Sequence, residues 1–297
     1  MNRKRFSILI TLLIAVLFPS ISCQSKALPS ISPNFDGNHA YSYAESLMAF
    51  GPRIPGSSAS AETVEYIRTE LNKVGWQMDV QQFIHEGVTL NNLVAYQNSN
   101  PPKVLIGAHY DTRQISDQES DPALQALPVP GANDGTSGTA VLMELARSLE
   151  GQDSGVWLVF FDGEDQGHIN NWDWSVGAQY FADNLAVSPK SVIVIDMIGD
   201  QDLNIYREKQ SDQDLCGQIW SSAGELGLSE KFIDQEKYAM LDDHLPFVQL
   251  GIPSCLLIDF DYPYWHTVQD VPAACSAESL EQVGRVLVHL VYGNVIR

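Results

Sequence analysis

Four short runs of apolar residues have the length and the β-branched and aromatic content of strands that are buried on both faces. They are residues 104–106, 156–161, 191–195 and 254–258. Two further strands are predicted at about 77–84 and 90–96, joined by a glycine-containing turn. Runs that are apolar throughout are typical of the middle of a mostly parallel sheet, because helices cover both of its faces.

Elsewhere the apolar residues recur at helical spacing, as Val64, Ile67 and Leu71 do. The predicted helices cover about 39–50, 60–75, 138–149, 175–184, 212–226, 242–250 and 277–292. Strands that alternate with helices predict an α/β fold, a three-layer sandwich in which helices flank a central, mostly parallel mixed β-sheet. Ligands of such sheets bind beyond the carboxyl ends of the strands, so the chemistry is expected at that edge.

The composition is that of a globular protein, since 44% of the 297 residues are hydrophobic and 18% are charged. No internal repeat and no second linker interrupts residues 39–297, which we interpret as one catalytic domain of roughly 260 residues. The net charge of −20 repels phosphate backbones. Nucleic acid is therefore not an expected partner.

The first 23 residues have the pattern of an export signal. Residues 2–5 are basic, residues 6–18 are nearly all apolar, and small residues precede Cys23. The apolar run of about 13 residues is too short to span a bilayer, so we expect an exported, periplasmic or extracellular protein without a transmembrane span. Cys23 matches the lipidated cysteine of bacterial lipoproteins, but Ser20 replaces the usual Leu, so lipid anchoring and simple secretion both stay open. Residues 24–38 are expected to form a flexible tether.

Three cysteines remain after this signal: Cys216, Cys255 and Cys275. They allow at most one disulfide, and the sequence leaves the pairing open. Because no two of them have the CxxC spacing, a thiolate zinc site is not expected.

Acidic residues and histidines follow each of the four buried strands. The set consists of His109 and Asp111 after the first strand, Glu164 and Asp165 after the second, Asp196 after the third and His266 after the fourth, with Asp134 in the glycine-rich loop 131–138. The carboxyl ends of neighbouring parallel strands meet at one edge, so these side chains are expected to converge. Carboxylate oxygens and imidazole nitrogens together suit Zn²⁺.

The order and spacing of these residues resemble those of the M28 family of zinc aminopeptidases, from about residue 40 to the C-terminus. The resemblance implies a zinc aminopeptidase-like fold. It also implies that Asp134, Asp165 and His266 hold zinc and that Glu164 carries the proton. The family usually has Glu-Glu at the acidic pair, and Asp165 is one methylene shorter than Glu but still able to ligate.

Three segments are more similar to the animal-type glutaminyl cyclases of this family. They are Leu-Asp-Asp-His-Leu-Pro-Phe at 241–247, Trp-His-Thr at 265–267 and Asp-Met-Ile-Gly at 196–199. Such enzymes use one zinc ion to convert the N-terminal Gln of a peptide into pyroglutamate with release of ammonia. The resemblance implies that Asp242 and Asp196 share a proton or orient the amine, and that Trp265 lines the substrate pocket. The expected partner is a peptide or protein with N-terminal Gln, and the expected state is a monomer.

Two other functions are compatible with the same fold. In a two-zinc aminopeptidase, His109 and Asp196 would hold a second ion and the enzyme would hydrolyse N-terminal residues. A binding protein without catalysis is disfavoured, because every expected ligand and Glu164 are present. Leu256 stands where vertebrate cyclases have a histidine, which puts the detailed hydrogen-bond network in question.

The loop 166–175 contains two tryptophans, Trp172 and Trp174, and two interpretations stay open: the pair is exposed and contacts the peptide, or the loop simply packs on the domain. His168 in the same loop is a candidate for an extra ligand but is not assigned as one. His244 is expected to cap a helix or to form a local hydrogen bond.

Overall fold

A computed structural model describes residues 34–98, 101–152 and 154–293 of the chain. Its strands are, in chain order, β1 (Gln77–His85), β2 (Val88–Tyr96), β3 (Val104–His109), β4 (Val156–Phe161), β5 (Ser191–Asp196), β6 (Ile205–Arg207), β7 (Phe232–Glu236) and β8 (Ser254–Ile258). Six of them form one sheet in the order β1-β2-β4-β3-β5-β8, and β6 and β7 form a separate pair. Strands β4, β3, β5 and β8 are parallel, and β1 and β2 are antiparallel additions at one edge. The predicted mostly parallel mixed sheet is confirmed.

The helices are α1 (Gly37–Met48), α2 (Ser58–Lys73), α3 (Pro122–Gln125), α4 (Thr136–Ser148), α5 (Val176–Asp183), α6 (Gln213–Glu225), α7 (Leu245–Gln249) and α8 (Ala277–Tyr292). All seven predicted helices are present. The largest error is at α7, which was predicted to begin at residue 242. It begins three residues later, with Pro246 in its first turn, where a proline costs no hydrogen bond.

Two apolar cores on opposite faces of the sheet give the sandwich its three layers. Successive residues of a strand point to opposite faces, so Ile106 belongs to the core that α1, α2, α4, α6 and α8 cover, while Leu105 belongs to the core that α5 and α7 cover. The three-layer prediction is therefore confirmed. Among the described residues, none of the helices combines the length and apolar character needed to cross a bilayer.

The described domain begins before residue 39, where the sequence analysis put its start. Phe35 is buried against Gly284 of α8, where a Cβ atom would lie 2.2 Å from the phenyl ring. The backbone N–H of Asp36 donates to Glu144 Oε1 of α4 at 3.0 Å. Residues 34–38 are thus packed on the domain and do not extend the tether, because an aromatic side chain gains more from burial than from exposure. The predicted signal, Cys23 and residues 24–33 lie outside the described residues.

One disulfide connects Cys216 of α6 to Cys255 of β8. Both cysteines are fully buried, and Cys275 is buried and has no disulfide partner among the described residues. The disulfide links α6 to β8, the outermost parallel strand. The structure thus provides the pairing that the sequence analysis left open.

Candidate metal centre and active site

The loops at the carboxyl ends of the parallel strands bring the predicted residues together. His109 and Asp196 are the last residues of β3 and β5. Asp134 reaches them from a loop that needs glycine on either side: Gly131 and Gly135 have φ of 75° and 88°. A Cβ atom on Gly135 would lie 2.3 Å from the carbonyl oxygen of Asp111, so only glycine allows this approach.

Asp134, Asp165 and His266 form the first cluster able to hold a metal ion, with one ligand atom from each residue within 4.8 Å of the others. His266 Nε2 lies 3.0 Å from Asp165 Oδ1 and 3.7 Å from Asp134 Oδ2. Both carboxylate oxygens of Asp165 are buried without a hydrogen-bond partner. Unpartnered buried acceptors are costly unless a cation neutralises them, so this cluster fits zinc with three protein ligands.

His109, Asp134 and Asp196 form a second cluster of the same kind, and Asp134 belongs to both. His109 Nε2 lies 3.0 Å from Asp196 Oδ1 and 3.2 Å from Asp134 Oδ1. The donor atoms can therefore accommodate one ion or two.

Asp117 supports His266 from behind and is a residue that the sequence analysis missed. The Nδ1 atom of His266 lies 2.9 Å from Asp117 Oδ1, and Arg113 donates to both oxygens of the same carboxylate. Against the effect of burial, these two partners lower the pKa of Asp117. A carboxylate on the far nitrogen of a ligating histidine fixes the ring's orientation and tautomer.

Two further buried carboxylates hold the ligand loops through their backbone N–H groups. Asp111 accepts from the N–H groups of Glu164 at 3.0 Å and Asp165 at 3.3 Å. Asp270, which no motif singled out, accepts from Asn133 and Asp134 at 2.8 Å and 3.1 Å. These buried hydrogen bonds therefore fix the backbone conformation of both loops.

Glu164 is buried beside the first cluster, and its Oε1 accepts a hydrogen bond from Ser175 Oγ at 3.2 Å. Burial raises the pKa of Glu164 well above its ordinary value, and the charges of Asp243, Asp242 and Asp165 raise it further, although His109 lowers it. A buried carboxyl group that lines the cavity beside the ligands is a candidate for proton transfer.

Aromatic rings wall the cavity in front of these groups, which has a volume of about 180 Å³. Trp265 stacks on His266 with ring centroids 3.8 Å apart, and the ring of Trp174 is also stacked with His266, at 5.9 Å. The lining residues are Asp134, Glu164, Asp165, Trp174, Asp196, Met197, Met240, Leu241, Asp242, Ile258, Phe260, Trp265 and His266. Two of them, Met197 and His266, have left-handed φ of 46° and 54°, a strain that is typical of functional sites.

The structure decides between the two interpretations of Trp172 and contradicts the expectation for His244. Trp172 is buried at 7% exposure and packs with Phe83 and Leu90, so its ring joins a small core and does not line the active-site cavity. His244 makes no side-chain capping bond, and its Nε2 atom lies 3.1 Å from Glu208, 36 residues away. Burial of both partners favours this distant pair over a local bond.

The remaining sequence candidates lie outside the two clusters. His168 belongs to neither cluster, and its ring packs edge-on to Trp174. Leu256 is a buried residue of β8 whose backbone N–H donates to Ser211 Oγ at 3.1 Å.

The fold is an α/β sandwich, and buried aspartates and histidines form two adjoining clusters at the ends of its strands. This combination defines a class of metal-dependent enzymes. The chain belongs to peptidase family M28, whose profile matches residues 91–291. It is accordingly an enzyme of a zinc-dependent family with a candidate metal-binding site.

Solved structures of both activities in this family are similar to the chain. A glutaminyl cyclase from Tannerella forsythia is 32% identical with a TM-score of 0.83, over 88% of this chain and 99% of that one. A Zn-dependent exopeptidase from Parabacteroides distasonis is 30% identical with a TM-score of 0.83, over the same shares. Among sequence relatives, the glutaminyl-peptide cyclotransferase of Boiga irregularis is 24% identical over 79% of this chain and 75% of its own length.

Proposed function

We propose that the protein is a glutaminyl-peptide cyclotransferase that uses one zinc ion on Asp134, Asp165 and His266. The observation that carries this proposal is the convergence of two further carboxylates, Glu164 and Asp242, on the same small cavity as those ligands. When bound, zinc would supply Lewis-acid polarisation of the γ-amide oxygen of the substrate's Gln side chain.

The cavity walls hold the N-terminal Gln in a folded conformation. Nucleophile and carbonyl belong to one residue, so the main task is to bring the α-amine close to the γ-carbonyl carbon. Trp265, Phe260 and Ile258 provide rigid apolar surface for this side chain and exclude water from it.

Glu164 moves the proton. The α-amine, which is protonated near neutral pH, first loses one proton to solvent, and Glu164 accepts a second proton from the nitrogen as the new bond to the carbonyl carbon forms. Glu164 returns that proton to the amide nitrogen, and the carbon–nitrogen bond breaks to release ammonia. Its position in the cavity wall, buried and beside the ligands, suits both halves of this task.

Asp242 and Asp196, which line the same cavity, orient the α-amine. Burial raises the pKa of both carboxyl groups, and the charge of Asp196 raises that of Asp242 further. Two neighbouring carboxyl groups resist joint ionisation, so the pair shares a proton and keeps an acceptor for the amine. His109, bonded to Asp196 at 3.0 Å, fixes the position of that carboxylate in the one-zinc enzyme.

The second candidate function is a two-zinc aminopeptidase. The cluster of His109, Asp134 and Asp196 favours it, and the similar exopeptidase structure supports it. In that enzyme His109 and Asp196 would hold the second ion, and a peptide bond would be hydrolysed.

Export completes the proposal. The disulfide between Cys216 and Cys255 supports a periplasmic or extracellular location, because such bonds persist in oxidising compartments. Lipid attachment at Cys23, a monomeric state and Gln-initiated peptides or proteins as partners belong to the same proposal.

The experiment compares a Gln-initiated dipeptide amide with a Leu-initiated chromogenic amide, and measures the zinc bound per chain. Ammonia from the first substrate, no chromophore from the second and one zinc are expected. Chromophore release together with two bound zinc ions would instead identify the protein as a two-zinc aminopeptidase. The Glu164→Gln variant, purified in the same way, is the control for contaminating activity.

A further inference from the structure

Arg113 is a buried cation that the proposed reaction does not use. It lies four residues after the end of β3, and it is only 3% exposed. A buried guanidinium is costly unless its donors are satisfied, so its partners indicate what the side chain does. Those partners belong to three different parts of the active site.

The first part is the support of His266. Arg113 Nε and Nη2 donate to the two oxygens of Asp117 at 3.0 Å and 2.8 Å, and this two-point pairing fixes the plane of the carboxylate. Asp117 is 32% exposed, so burial alone does not hold it in place. Its Oδ1 lies 2.9 Å from His266 Nδ1. The orientation of this ligand ring therefore depends on Arg113.

The second part is the backbone that carries Asp165. Arg113 Nη1 donates to the carbonyl oxygen of Asp165 at 3.0 Å, and Nη2 donates to that of Gly167 at 3.2 Å. The carboxylate of Asp165 is farther away, with Oδ1 at 3.7 Å from Nη1 and no hydrogen bond to either oxygen. Arg113 thus fixes the backbone of this ligand and leaves its carboxylate to the metal ion.

The third part is Trp174 in the cavity wall. The guanidinium carbon of Arg113 lies 4.9 Å from the indole centroid, within the range of a cation–π contact. Gly167 allows this approach, because a Cβ atom there would lie 2.1 Å from the indole. The same indole is stacked with His266. Arg113 therefore contacts the wall of the cavity as well as the supports of two ligands.

We propose that Arg113 is a positioning residue that couples the geometry of the metal ligands to the position of Trp174. Its planar guanidinium directs five donors along fixed directions, which the single ammonium of a lysine does not. Arg113 belongs to neither ligand cluster and does not line the cavity, so it acts through the residues that it holds. This inference rests on the metal centre and the cavity of the proposed function.

Zinc affinity is the first measurement, by competition against a chromophoric chelator. Arg113→Met keeps an unbranched apolar stem but loses every donor, so affinity should fall about 10- to 100-fold. Arg113→Lys keeps a charge beside Asp117 and should recover part of this loss. Arg68→Met is the matched control, because Arg68 pairs with Glu65 on the surface of α2. Its affinity should equal that of the wild type.

The position of Trp174 is the second measurement, by acrylamide quenching of fluorescence with zinc at saturation. The chain has six tryptophans, so the part that belongs to Trp174 is obtained by difference against Trp174→Phe in each background. Arg113→Met and Arg113→Lys should both raise the quenching constant, since neither side chain can hold the loop and the indole together. Asp117→Asn should leave it unchanged, because the bonds of Arg113 to Asp165 and Gly167 remain.

A double-mutant cycle tests whether Arg113 acts through the indole. At saturating zinc, the KM for a Gln-initiated dipeptide amide should rise about three- to tenfold in Arg113→Met, because the wall is displaced. In the Trp174→Ala background the same substitution should leave KM unchanged. General support of the fold would instead give the same increase in both backgrounds.

The outcomes separate this inference from the proposed function. Unchanged zinc affinity, unchanged quenching of Trp174, or an equal rise in KM with and without Trp174 would overturn the coupling. Circular dichroism establishes that the variants are folded, and wild-type affinity and quenching in Arg113→Lys would overturn the coupling if Arg113→Met does not fold. Zinc binding and quenching need no substrate, so absence of ammonia would overturn the cyclase alone.

Discussion

Glu164 and Asp165 are neighbours in the chain with different surroundings. Both oxygens of Asp165 are without hydrogen-bond partners and one lies 3.0 Å from His266, whereas Glu164 is bonded to Ser175 and faces the cavity. Asp111 fixes both backbones. One carboxylate is thus available for an ion and the other for a proton.

The Glu164→Gln variant separates these two tasks. Gln keeps the size and the bond to Ser175 but cannot carry a proton, so we expect turnover to fall about 10²–10⁴-fold. Zinc content, measured by elemental analysis, should stay at the wild-type value because Glu164 is outside both ligand clusters. Glu62→Gln on the exposed surface of α2 is the control. Retained turnover would show that another group moves the proton.

Asp117→Asn tests the support of His266. An amide accepts a weaker hydrogen bond from the imidazole and loses the charge that Arg113 binds, so zinc affinity should fall about 10- to 100-fold. Competition against a chromophoric chelator measures this change. Unchanged affinity would mean that the stacking of Trp174 and Trp265 alone orients the ring.

At the scale of elements, α4 is important because it begins directly after the loop that carries Asp134. The helix lies against β3 and β5 at Gly138, where a Cβ atom would be 2.6 Å from the carbonyl oxygen of Ile195 and 2.8 Å from the Cβ atom of Ala108. Close contact here brings the loop over the ends of both strands.

A pair of glycine variants measures the cost of that contact. Gly138→Ala should lower the free energy of unfolding by about 1–3 kcal/mol, since neither backbone can move away. Gly217→Ala in α6 meets only Arg207 at 3.9 Å and should raise it by about 0.5–1 kcal/mol through helix propensity. Urea unfolding of both variants gives the comparison. A neutral Gly138→Ala would show that α4 can shift.

The segment before α7 is held by a buried hub. Glu208 accepts from the N–H of Met240 at 3.0 Å and from Ser211 Oγ at 2.9 Å, and its Oε2 lies 3.1 Å from His244. Against the effect of burial, His244 and the backbone N–H groups of Gln210 and Met240 lower the pKa of Glu208 to about 2. The hub fixes the chain on both sides of Asp242, and therefore the position of its carboxylate in the active-site cavity.

At the scale of the whole molecule, many carboxyl groups of this acidic chain are buried. Burial raises the pKa of Asp162 to about 8 and that of Asp259 to about 7, and neither residue is a candidate ligand. In the unfolded chain both would titrate near 3.9. Their protonated forms therefore stabilise the fold fully below about pH 4, and this contribution is lost as the pH rises through about 7 and 8.

The zinc-loaded protein should accordingly become less stable between pH 6 and 8.5. Asp162→Asn keeps a neutral side chain that still accepts the N–H of Asn91, so its melting temperature should fall less over this range. Thermal unfolding at several pH values measures the slope, and Asp183→Asn at an exposed position is the control. Equal slopes for wild type and Asp162→Asn would show that Asp162 is ionised in the fold.

The sequence by itself determined the elements and the edge where the chemistry lies. Side chains that point inward are apolar, so the spacing of apolar residues shows whether a segment is a helix or a strand. The position of His109 and Asp196 at strand ends follows from the same pattern. The strand order predicts only that these residues lie close together. Their individual roles were assigned from the family resemblance.

Only the tertiary structure decided which distant side chains meet. Asp117 behind His266, Asp270 under the loop of Asp134 and the pairing of Cys216 with Cys255 join residues 149, 136 and 39 positions apart. The burial of Trp172 and the partner of His244 depend likewise on packing between elements. Such contacts leave no periodicity in the sequence, because they are set by how helices and loops pack across the sheet.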